Sequence, residues 1–536
     1  MNRTTKVEME LIVSRPRGAP VVRDYLDHAA GAEEFFLRTF DRLADFESKA
    51  AEVDARFDTD ARERAAEALM LPEGFESSRV EAFVREGGYM VTTGQQPGLF
   101  GGPLYSIFKA ITAVRLAETL EARLGRPVLP VFWVASDDHD WAEADHADLI
   151  GTDNELHRFS VRSPEEERTS SLHRLTLGAD ADEAVAAFLD ALPDSDFSAS
   201  YTELVRSGFG QGSTLPEGFH QLMHRTLGRL GIAFTDAAHE GVKTSSRELL
   251  LAELGHSERM ESVLADTVQR LEAAGYGVQV PLMPGGVNLF LEGPAGRERV
   301  YRDGEGFRLR TSGEQLTFDE IVARVEADPK ALSPNVLMRP VVESAVFPTL
   351  AYVGGPGEMA YFAQLRAYFE AHSIEMPIVF PRWSAAPIER KIGKVLGKFD
   401  LEPADLARPF HEVASDFARE EVPGEVRAAI GTLRGALGSG AGELQKAAAG
   451  VDPTLKGPVQ NFRSQAMAAL SDVEKKVLQA VKRESDIALQ QIEKAQLHLY
   501  PNGKPAERVQ SPLYYLSRYG DDFVDQAYAA FEVNFD

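Results

Sequence analysis

Residues 88–140 read GYMVTTGQQPGLFGGPLYSIFKAITAVRLAETLEARLGRPVLPVFWVASDDHD. The run 88–93 is short and β-prone and ends in polar residues and glycine, which predicts a strand followed by a loop. Residues 104–124 predict a helix, and the continuously apolar run 128–135 predicts a strand that is buried on both faces. This order of strand, loop, helix and strand predicts a βαβ unit and therefore an α/β fold with a parallel sheet.

The loop between the first strand and the helix is the first candidate site. It contains four glycines, which let the backbone approach a ligand closely and let amide N–H groups face an anion. The spacing matches neither the Walker motif nor the dinucleotide-binding G-x-G-x-x-G pattern. The alternative is a packed turn that needs glycine for steric reasons. The candidate nucleotide- or anion-binding residues are Thr93, Gly94, Gln95, Gln96, Gly98, Gly101, Gly102, Tyr105, Lys109 and, further along the chain, Arg382.

A second candidate site directly follows the buried strand, where ligands of parallel sheets bind. The candidate catalytic residues there are Asp137, Asp138, His139 and Asp140. Carboxylates and an imidazole can act as acid and base, or can hold a cation. One alternative is that Asp137 or Asp138 only caps the start of a helix. Another is a Mg²⁺ ion, which needs one or two carboxylates and could equally arrive with a nucleotide. We assign no resident metal.

Residues 333–340 and 352–358 place polar side chains and turns in apolar surroundings. Such groups are costly unless they are paired or bind a ligand, which makes them candidate substrate contacts. The alternative is a buried structural salt bridge between Arg339 and Glu358. The candidate substrate-binding residues are Trp133, Asn335, Arg339, Tyr352, Gly354, Gly355 and Glu358.

The composition limits the classes of function. The chain has 83 acidic and 57 basic residues, a formal net charge of −26, which disfavours binding to nucleic acid. The sequence has no cysteine, so disulfides, a thiolate nucleophile and a cysteine-ligated zinc site are excluded. No window approaches the ~20 apolar residues that a membrane span needs. We therefore expect a cytoplasmic protein.

The rest of the chain predicts three parts. These are an α/β core at 1–402, a helical hairpin at 403–500 with a break around 438–450, and a C-terminal segment at 501–536 that docks on the core. Apolar residues of the hairpin step by three and four, which is typical of an antiparallel coiled coil. Within the core, residues 30–70 predict a helix. Residues 151–375 predict further α/β material, with a helix at 245–274 and strands near 231–234, 278–280 and 287–291. The second glycine-rich stretch, 352–358, precedes a predicted helix at 359–371 and a predicted strand at 377–382.

Four strings of residues, 93–105, 130–140, 333–340 and 352–358, resemble the bacillithiol biosynthesis cysteine-adding enzymes. Further likeness lies in 381–384, in 500–503 and in the Glu507-Arg508 pair, so the resemblance covers nearly the whole chain. Two departures stand out. Ser136 and Asp137 stand where the family often has glycine and glutamate, and Trp383 replaces a smaller apolar residue.

The resemblance implies a Rossmann-like core related to class I aminoacyl-tRNA synthetases, with inserted connecting segments and a coiled coil that makes a homodimer. It also implies a ligase that adds L-cysteine to glucosaminyl malate to form bacillithiol. On this fold a carboxylate is usually activated by ATP, so we expect ATP as a co-substrate, with Asp138 or His139 as the base. The glycine loop lacks the histidines of the synthetase signature. The alternative function is a nucleotide-binding interaction or sensor protein whose coiled-coil arm recruits a partner.

Overall fold

The computed structural model describes residues 9–165 and 169–536. These residues form two compact units. The first contains 11–387 and 507–536, and the second contains 388–506 with residues 9 and 10. The boundaries therefore lie at 387/388 and 506/507, whereas the sequence placed them at 402/403 and 500/501.

The strands, in chain order, are β1 Met9–Ser14, β2 Tyr89–Gln95, β3 Val128–Val134, β4 His146–Ile150, β5 Leu156–Ser160, β6 Ala233–Asp236, β7 Gly286–Gly293, β8 Gly296–Asp303, β9 Gly306–Leu309, β10 Gln315–Leu316, β11 Leu332–Pro334, β12 Thr349–Gly354, β13 Ile378–Pro381 and β14 Ser384–Glu389.

The α-helices are α1 Pro20–Leu26, α2 Ala30–Phe36, α3 Leu43–Arg56, α4 Thr59–Glu67, α5 Ser77–Arg85, α6 Tyr105–Leu124, α7 Trp141–Ala144, α8 Asp180–Ala191, α9 Ser198–Phe209, α10 Leu215–Leu227, α11 Glu240–Gly255, α12 Ser257–Ala273, α13 Phe318–Ala327, α14 Arg339–Val346, α15 Pro356–Phe362, α16 Arg366–Ala371, α17 Arg390–Phe399, α18 Phe410–Glu421, α19 Gly424–Ala449, α20 Lys456–Glu484, α21 Asp486–Leu499, α22 Leu513–Tyr519 and α23 Asp521–Ala530.

A parallel five-stranded sheet lies at the centre of the first unit, in the order β13-β12-β2-β3-β6. The predicted βαβ unit is confirmed. β2 pairs with β3 from Tyr89 opposite Val128 to Gln95 opposite Val134, and β3 is buried along its whole length because both faces are covered. From β2 the chain first builds β3 and β6 on one side and later β12 and β13 on the other. The strand order thus reverses between β2 and β12, where open α/β sheets form their ligand crevice.

A second five-stranded sheet, β10-β9-β8-β7-β11, is antiparallel throughout. The predicted strand near 287–291 exists as part of β7, and it belongs to this antiparallel sheet. The predicted strand near 278–280 is wrong. The backbone N–H and C=O of Val280 are instead both bonded to the side-chain amide of Gln364, at 2.9 and 3.0 Å.

Three predicted helices are each divided. Residues 30–70 form three helices, α2, α3 and α4. α2 ends at Phe36 because the next residue, Leu37, takes a positive φ of 66°. The expected apolar face survives, since Phe36, Phe40 and Phe46 are buried in the core. The prediction for 245–274 becomes α11 and α12, and that for 359–371 becomes α15 and α16.

Residues 507–536 belong to the first unit and hold the glycine loop from outside. The Arg382 guanidinium donates to both carboxylate oxygens of Glu507, at 2.7 and 3.1 Å, and both side chains are buried. Ser511 Oγ donates to the carbonyl of Phe100 at 2.8 Å, and the Leu104 amide donates to the carbonyl of Gln510 at 2.9 Å. The loop conformation therefore depends on this distant segment.

The second unit is helical. α19 and α20 run antiparallel, because Arg434 pairs with Glu474 while Gly438 faces Met467. The predicted break at 438–450 is wrong, since α19 continues to Ala449 and the turn follows it. Several large apolar side chains of this hairpin are exposed, namely Leu433, Leu444, Val451, Phe462 and Val473. None of the helices in the described ranges is both long and apolar enough to cross a membrane.

Candidate functional site

A cavity of about 580 Å³ opens in the first unit at the carboxyl ends of β2, β3 and β12. The antiparallel sheet forms its opposite wall through β7, β8 and β11. The lining residues are Gly94, Gln95, Gln96, Tyr105, Lys109, Trp133, Ala135, Asp137, Asp138, His139, Glu143, Gln279, Val280, Phe290, Arg297, Arg299, Pro334, Asn335, Val336, Arg339, Tyr352, Gly355, Pro356, Gly357, Glu358, Tyr361, Arg382 and Arg508. The cavity lies beside the point where the strand order reverses.

Most of the candidate site residues meet here, although they come from separate parts of the sequence. Those that line the cavity are Asp137, Asp138, His139, Gly94, Gln95, Gln96, Tyr105, Lys109, Arg382, Trp133, Asn335, Arg339, Tyr352, Gly355 and Glu358. The candidates that lie outside the lining are Thr93, Gly98, Gly101, Gly102, Asp140 and Gly354.

The second half of the glycine loop is a packed turn. Gly101 has a φ of +90°, and a Cβ added there would lie 2.6 Å from Leu222. A Cβ at Gly98 would lie 2.8 Å from the Cα of Gly102. The Gly101 and Gly102 amides donate to carbonyls within the loop, at 3.2 and 3.0 Å. The amides that we expected to face an anion are thus already bonded, and the steric alternative describes this half of the loop.

Asp138 is the carboxylate that is held at the mouth of the cavity. Its Oδ2 accepts a hydrogen bond from Gln96 Nε2 at 2.6 Å, and its Oδ1 accepts from the His139 amide at 2.7 Å. The side chain is 34% exposed. Asp140 is not part of the cavity lining and caps α7 by accepting from the Glu143 amide at 3.2 Å. The cap that we expected from Asp137 or Asp138 is therefore supplied by Asp140.

Asp137 forms a buried ion pair with Lys243, whose Nζ lies 3.6 Å from Asp137 Oδ2. Lys243 also donates to the carbonyl of Leu332 at 3.2 Å. Burial lowers the pKa of Lys243, and the charge of Asp137 offsets part of this effect. Lys243 was not found from the sequence, because one lysine in the amphipathic helix α11 gives no signal. Asp137 and Lys243 tie the loop after β3 to α11 and β11.

Arg297 lies against His139. Its Nη1 is 2.8 Å from His139 Nδ1 and 3.6 Å from Asp138 Oδ1. The other guanidinium nitrogens donate to Ser333 Oγ and to the carbonyl of Pro334, both at 2.8 Å. The guanidinium stacks 4.0 Å from the ring centroid of Phe290. Burial, and then the charge of Arg297, lower the pKa of His139.

Glu358 collects three donors at the floor of the cavity. It accepts from Lys109 at 2.7 Å, from the Gly355 amide at 2.8 Å and from the Tyr352 hydroxyl. Burial alone would raise the pKa of Glu358, but Lys109 and the hydrogen bonds lower it overall. The carboxylate is therefore charged and keeps the donors in place.

The expected salt bridge between Arg339 and Glu358 is not formed. Arg339 instead pairs with Glu343 at 2.6 Å, and it donates to the hydroxyls of Tyr361 and Tyr352 at 3.0 and 3.1 Å. Asn335 is likewise occupied within the protein, since its Oδ1 accepts from two backbone amides and its Nδ2 donates to Asn288. Both side chains line the cavity but serve first to build its wall.

The cavity is rich in cations. Six basic and four acidic side chains line it, whereas the whole chain has a net charge of −26. Among the described residues, no carboxylate pairs with Arg299 or Arg508: Arg299 Nε donates to the carbonyl of Val287 at 3.2 Å, and the Arg508 guanidinium lies 5.8 Å from the Tyr105 ring centroid. These two arginines are the cations most available to an anionic ligand.

Arg297 and Arg299 were missed from the sequence. Their spacing of two residues in a strand puts both side chains on one face, which was the available signal. Glu143 also lines the cavity and is not among the residues chosen from the sequence. Burial, and then the charges of Asp140 and Asp138, raise the pKa of Glu143.

The acidic side chains of the cavity do not form a set of three metal ligands, within the ranges that the structure describes. Asp137 is engaged by Lys243 and Glu358 by Lys109. Among the described residues, Asp138 and Glu143 are the cavity carboxylates without a lysine partner, so they are the candidate ligands of a Mg²⁺ ion that binds with a nucleotide. Mg²⁺ usually takes only one or two carboxylates.

The chain is similar to known proteins over nearly its whole length. A family model described as Bacillithiol biosynthesis BshC, N-terminal Rossmann-like domain, matches residues 7–383. A second, described as Bacillithiol biosynthesis BshC, C-terminal coiled-coil domain, matches residues 385–534. The protein named "Putative cysteine ligase BshC" of Salinibacter ruber is 33% identical over 84% of this chain and 82% of its own length. Proteins of the same name from Koribacter versatilis and Heliobacterium modesticaldum are 31% and 34% identical, over 95% and 81% of this chain and 95% and 80% of their own lengths.

Proposed function

Because the chain belongs to the bacillithiol biosynthesis BshC family, we propose that it is a ligase that forms a carbon–nitrogen bond between L-cysteine and glucosaminyl malate. The cysteine carboxylate would be joined to the glucosamine amine, and the product would be bacillithiol. The relatives carry the name of cysteine ligases, and their similarity covers both the Rossmann-like unit and the helical unit.

The observation that carries the proposal is the charge of the cavity. In a chain with a net charge of −26, a cavity with a basic excess favours an anionic substrate, and the malate part of glucosaminyl malate carries two carboxylates. Arg299 and Arg508 are the candidate partners of these carboxylates, because neither is paired with an acidic side chain of the residues that the structure describes. Charge-assisted hydrogen bonds from a guanidinium are among the stronger polar interactions in proteins.

Amide formation from a free carboxylate requires a better leaving group, and we propose that ATP supplies it. The cysteine carboxylate would attack the α-phosphorus and release pyrophosphate, and the amine would then displace AMP. The candidate nucleotide contacts lie at the end of β2 and in the first turns of α6. They are Gln95, Tyr105 and Lys109. The excess proton of the amine would pass to a base at the mouth of the cavity, for which Asp138 is the candidate.

The test is an assay of the purified full-length protein with ATP, L-cysteine and glucosaminyl malate. We expect bacillithiol, identified by mass spectrometry, together with one AMP per product. Asp138→Asn should reduce turnover by about 10²- to 10⁴-fold. Asp190→Asn, the same change on an exposed helix position, is the matched control and should retain activity.

Product without nucleotide turnover would remove ATP from the proposal. If the protein binds a nucleotide but forms no product, and binding survives Asp138→Asn, the sensor alternative is favoured instead.

We further propose that the protein forms a homodimer through the arm. The exposed apolar side chains of α19 and α20 would be removed from water if a second copy of the arm covered them. Among them, Leu444 of α19 and Phe462 of α20 lie at about the same level along the hairpin axis. The double substitution Leu444→Asp and Phe462→Asp should convert a dimeric mass into a monomeric mass in light scattering while the helix content in circular dichroism is unchanged. A monomeric native chain, or a dimer that survives this change, would contradict the proposal.

A further inference from the structure

The contact between Arg297 and His139 restricts where the imidazole can carry its proton. An arginine guanidinium stays protonated in proteins and has donors but no acceptor. Since Arg297 Nη1 lies 2.8 Å from His139 Nδ1, the guanidinium must donate and Nδ1 must accept. A neutral imidazole that accepts at Nδ1 carries its proton at Nε2.

We propose that Arg297 is a positioning residue that holds His139 in the Nε2–H tautomer, so that His139 acts as a hydrogen-bond donor in the cavity and not as the base. The oxygen that would receive this bond is the carbonyl oxygen of the activated cysteine, which gains negative charge as the amine adds. This chemical role rests on the proposed function, whereas the tautomer itself does not.

The guanidinium is fixed too firmly to turn away from the ring. Its remaining donors are bonded to Ser333 and Pro334 at 2.8 Å, its flat face lies on Phe290, and its side chain is 5% exposed. Turning it would leave buried N–H groups without acceptors, which is strongly unfavourable. The Phe290 ring also contacts the imidazole, with 5.1 Å between the ring centroids.

The opposite tautomer finds no acceptor at hydrogen-bond distance in the part of the chain that the structure describes. Asp138 Oδ1 is 3.6 Å from His139 Nδ1, beyond hydrogen-bond length, and this oxygen already accepts from the His139 amide at 2.7 Å. The other charged groups that act on the ring are Asp140 and Glu292, which oppose the effect of Arg297. Burial and Arg297 together lower the pKa of His139, which favours the neutral imidazole near neutral pH.

The other ring nitrogen is free for a ligand. Among the described residues, no protein group forms a hydrogen bond with His139 Nε2, and His139 lines the cavity. An N–H donor placed where an oxygen gains charge is worth about 10²- to 10³-fold in turnover. The acid–base work then falls to Asp138, which Gln96 and the His139 amide hold beside the same opening.

The decisive experiment is a ¹⁵N nuclear magnetic resonance spectrum of the full-length protein with ¹⁵N-labelled histidine. The His139 signals are assigned by their loss in His139→Gln. We expect an unprotonated Nδ1 and a protonated Nε2 in the native protein, and a shift toward mixed tautomers in Arg297→Met. Arg299→Met removes a neighbouring cation of the same strand and is the matched control, which should leave the tautomer unchanged.

A protonated Nδ1 in the native protein overturns the proposal, and this holds even if Arg297→Met fails to fold. The spectrum needs no turnover, so it can be interpreted even if the proposed reaction is wrong. A kinetic test then addresses the role. His139→Gln keeps an N–H donor but no base, and should lose about 10-fold or less in kcat, whereas His139→Ala should lose about 10²- to 10³-fold. Equal losses in the two variants would overturn the donor role.

Discussion

Replacing Lys109 with methionine should destabilise the first unit more than any exposed lysine change. Methionine has a similar volume but no charge, so the substitution removes the cation and leaves most of the packing. In the native protein Lys109 is 1% exposed, pairs with Glu358 at 2.7 Å and also donates to the carbonyl of Gly94. Without Lys109 the Glu358 carboxylate loses the positive charge that compensates its burial.

The expected loss of unfolding free energy depends on the hydrogen bonds that Glu358 retains in Lys109→Met. Breaking a buried ion pair by removing one partner costs about 3–5 kcal/mol. Glu358 retains the Gly355 amide at 2.8 Å and the Tyr352 hydroxyl, and it is 24% exposed, so water can replace part of the lost interaction. We therefore expect the lower end of the range, about 3 kcal/mol. Adding Glu358→Gln removes the stranded charge and should recover about 1–2 kcal/mol of this loss.

The assay is urea unfolding followed by tryptophan fluorescence. All three tryptophans, Trp133, Trp141 and Trp383, belong to the first unit, so the signal reports on that unit and not on the arm. Lys330→Met is the control, because Lys330 is exposed in the same unit. A loss below about 1 kcal/mol for Lys109→Met, or a double variant that is less stable than Lys109→Met alone, would refute the reasoning about the pair.

Three further predictions concern stability and binding. Burial and the charge of His220 lower the pKa of His224 from 6.5 to about 4, so the unfolded chain takes up this proton first as the pH falls. Between about pH 7 and about pH 5, the free energy of unfolding of the native protein should therefore fall by about 2 kcal/mol more than that of His224→Gln. Urea titration at the two pH values measures this difference. Gly101→Ala should lower the free energy of unfolding by about 2–4 kcal/mol, because φ is +90° and the new Cβ would meet Leu222 and Pro512. Gly125 also has a positive φ but has open space around it, so Gly125→Ala should cost only about 1 kcal/mol in the same titration. Arg299→Ala should weaken the binding of glucosaminyl malate by about 10- to 100-fold in calorimetry. Arg310 is an exposed arginine nearby, and Arg310→Ala should leave this affinity unchanged. An equal loss of affinity in both variants would contradict a specific carboxylate contact.

The parts of the fold that rest on strong local patterns could be predicted. The run 128–135 is apolar on both faces, which only a central strand explains, and it pairs with β2 in the expected parallel manner. The division of residues 30–70 could not be predicted, because a positive φ at a non-glycine residue such as Leu37 is uncommon and leaves no mark in the composition. The same limit applies to the antiparallel sheet, whose strand order depends on pairings between distant segments.

The site was predictable where polar residues follow a buried strand. Asp138 and His139 were found this way because strand ends of a parallel sheet meet at one edge. Lys243 and Arg297 were not, since each acts through a partner that is distant in sequence. In the glycine loop, a glycine that is needed for packing against Leu222 has the same appearance in a sequence as a glycine that is needed for a ligand.

The arrangement of the first unit along the chain has a consequence for its biosynthesis. Arg382 and the glycine loop are made before the arm, but Glu507 and Ser511, which bond to them, are made after it. At about 10 residues per second, the ribosome needs about 10 s to pass from Arg382 to Glu507. During this time the nascent chain holds an arginine without its carboxylate and a loop without its outer support. A chain that is released early therefore contains all five strands of the parallel sheet but lacks Glu507 and Ser511, so neither Arg382 nor the glycine loop has its distant partner.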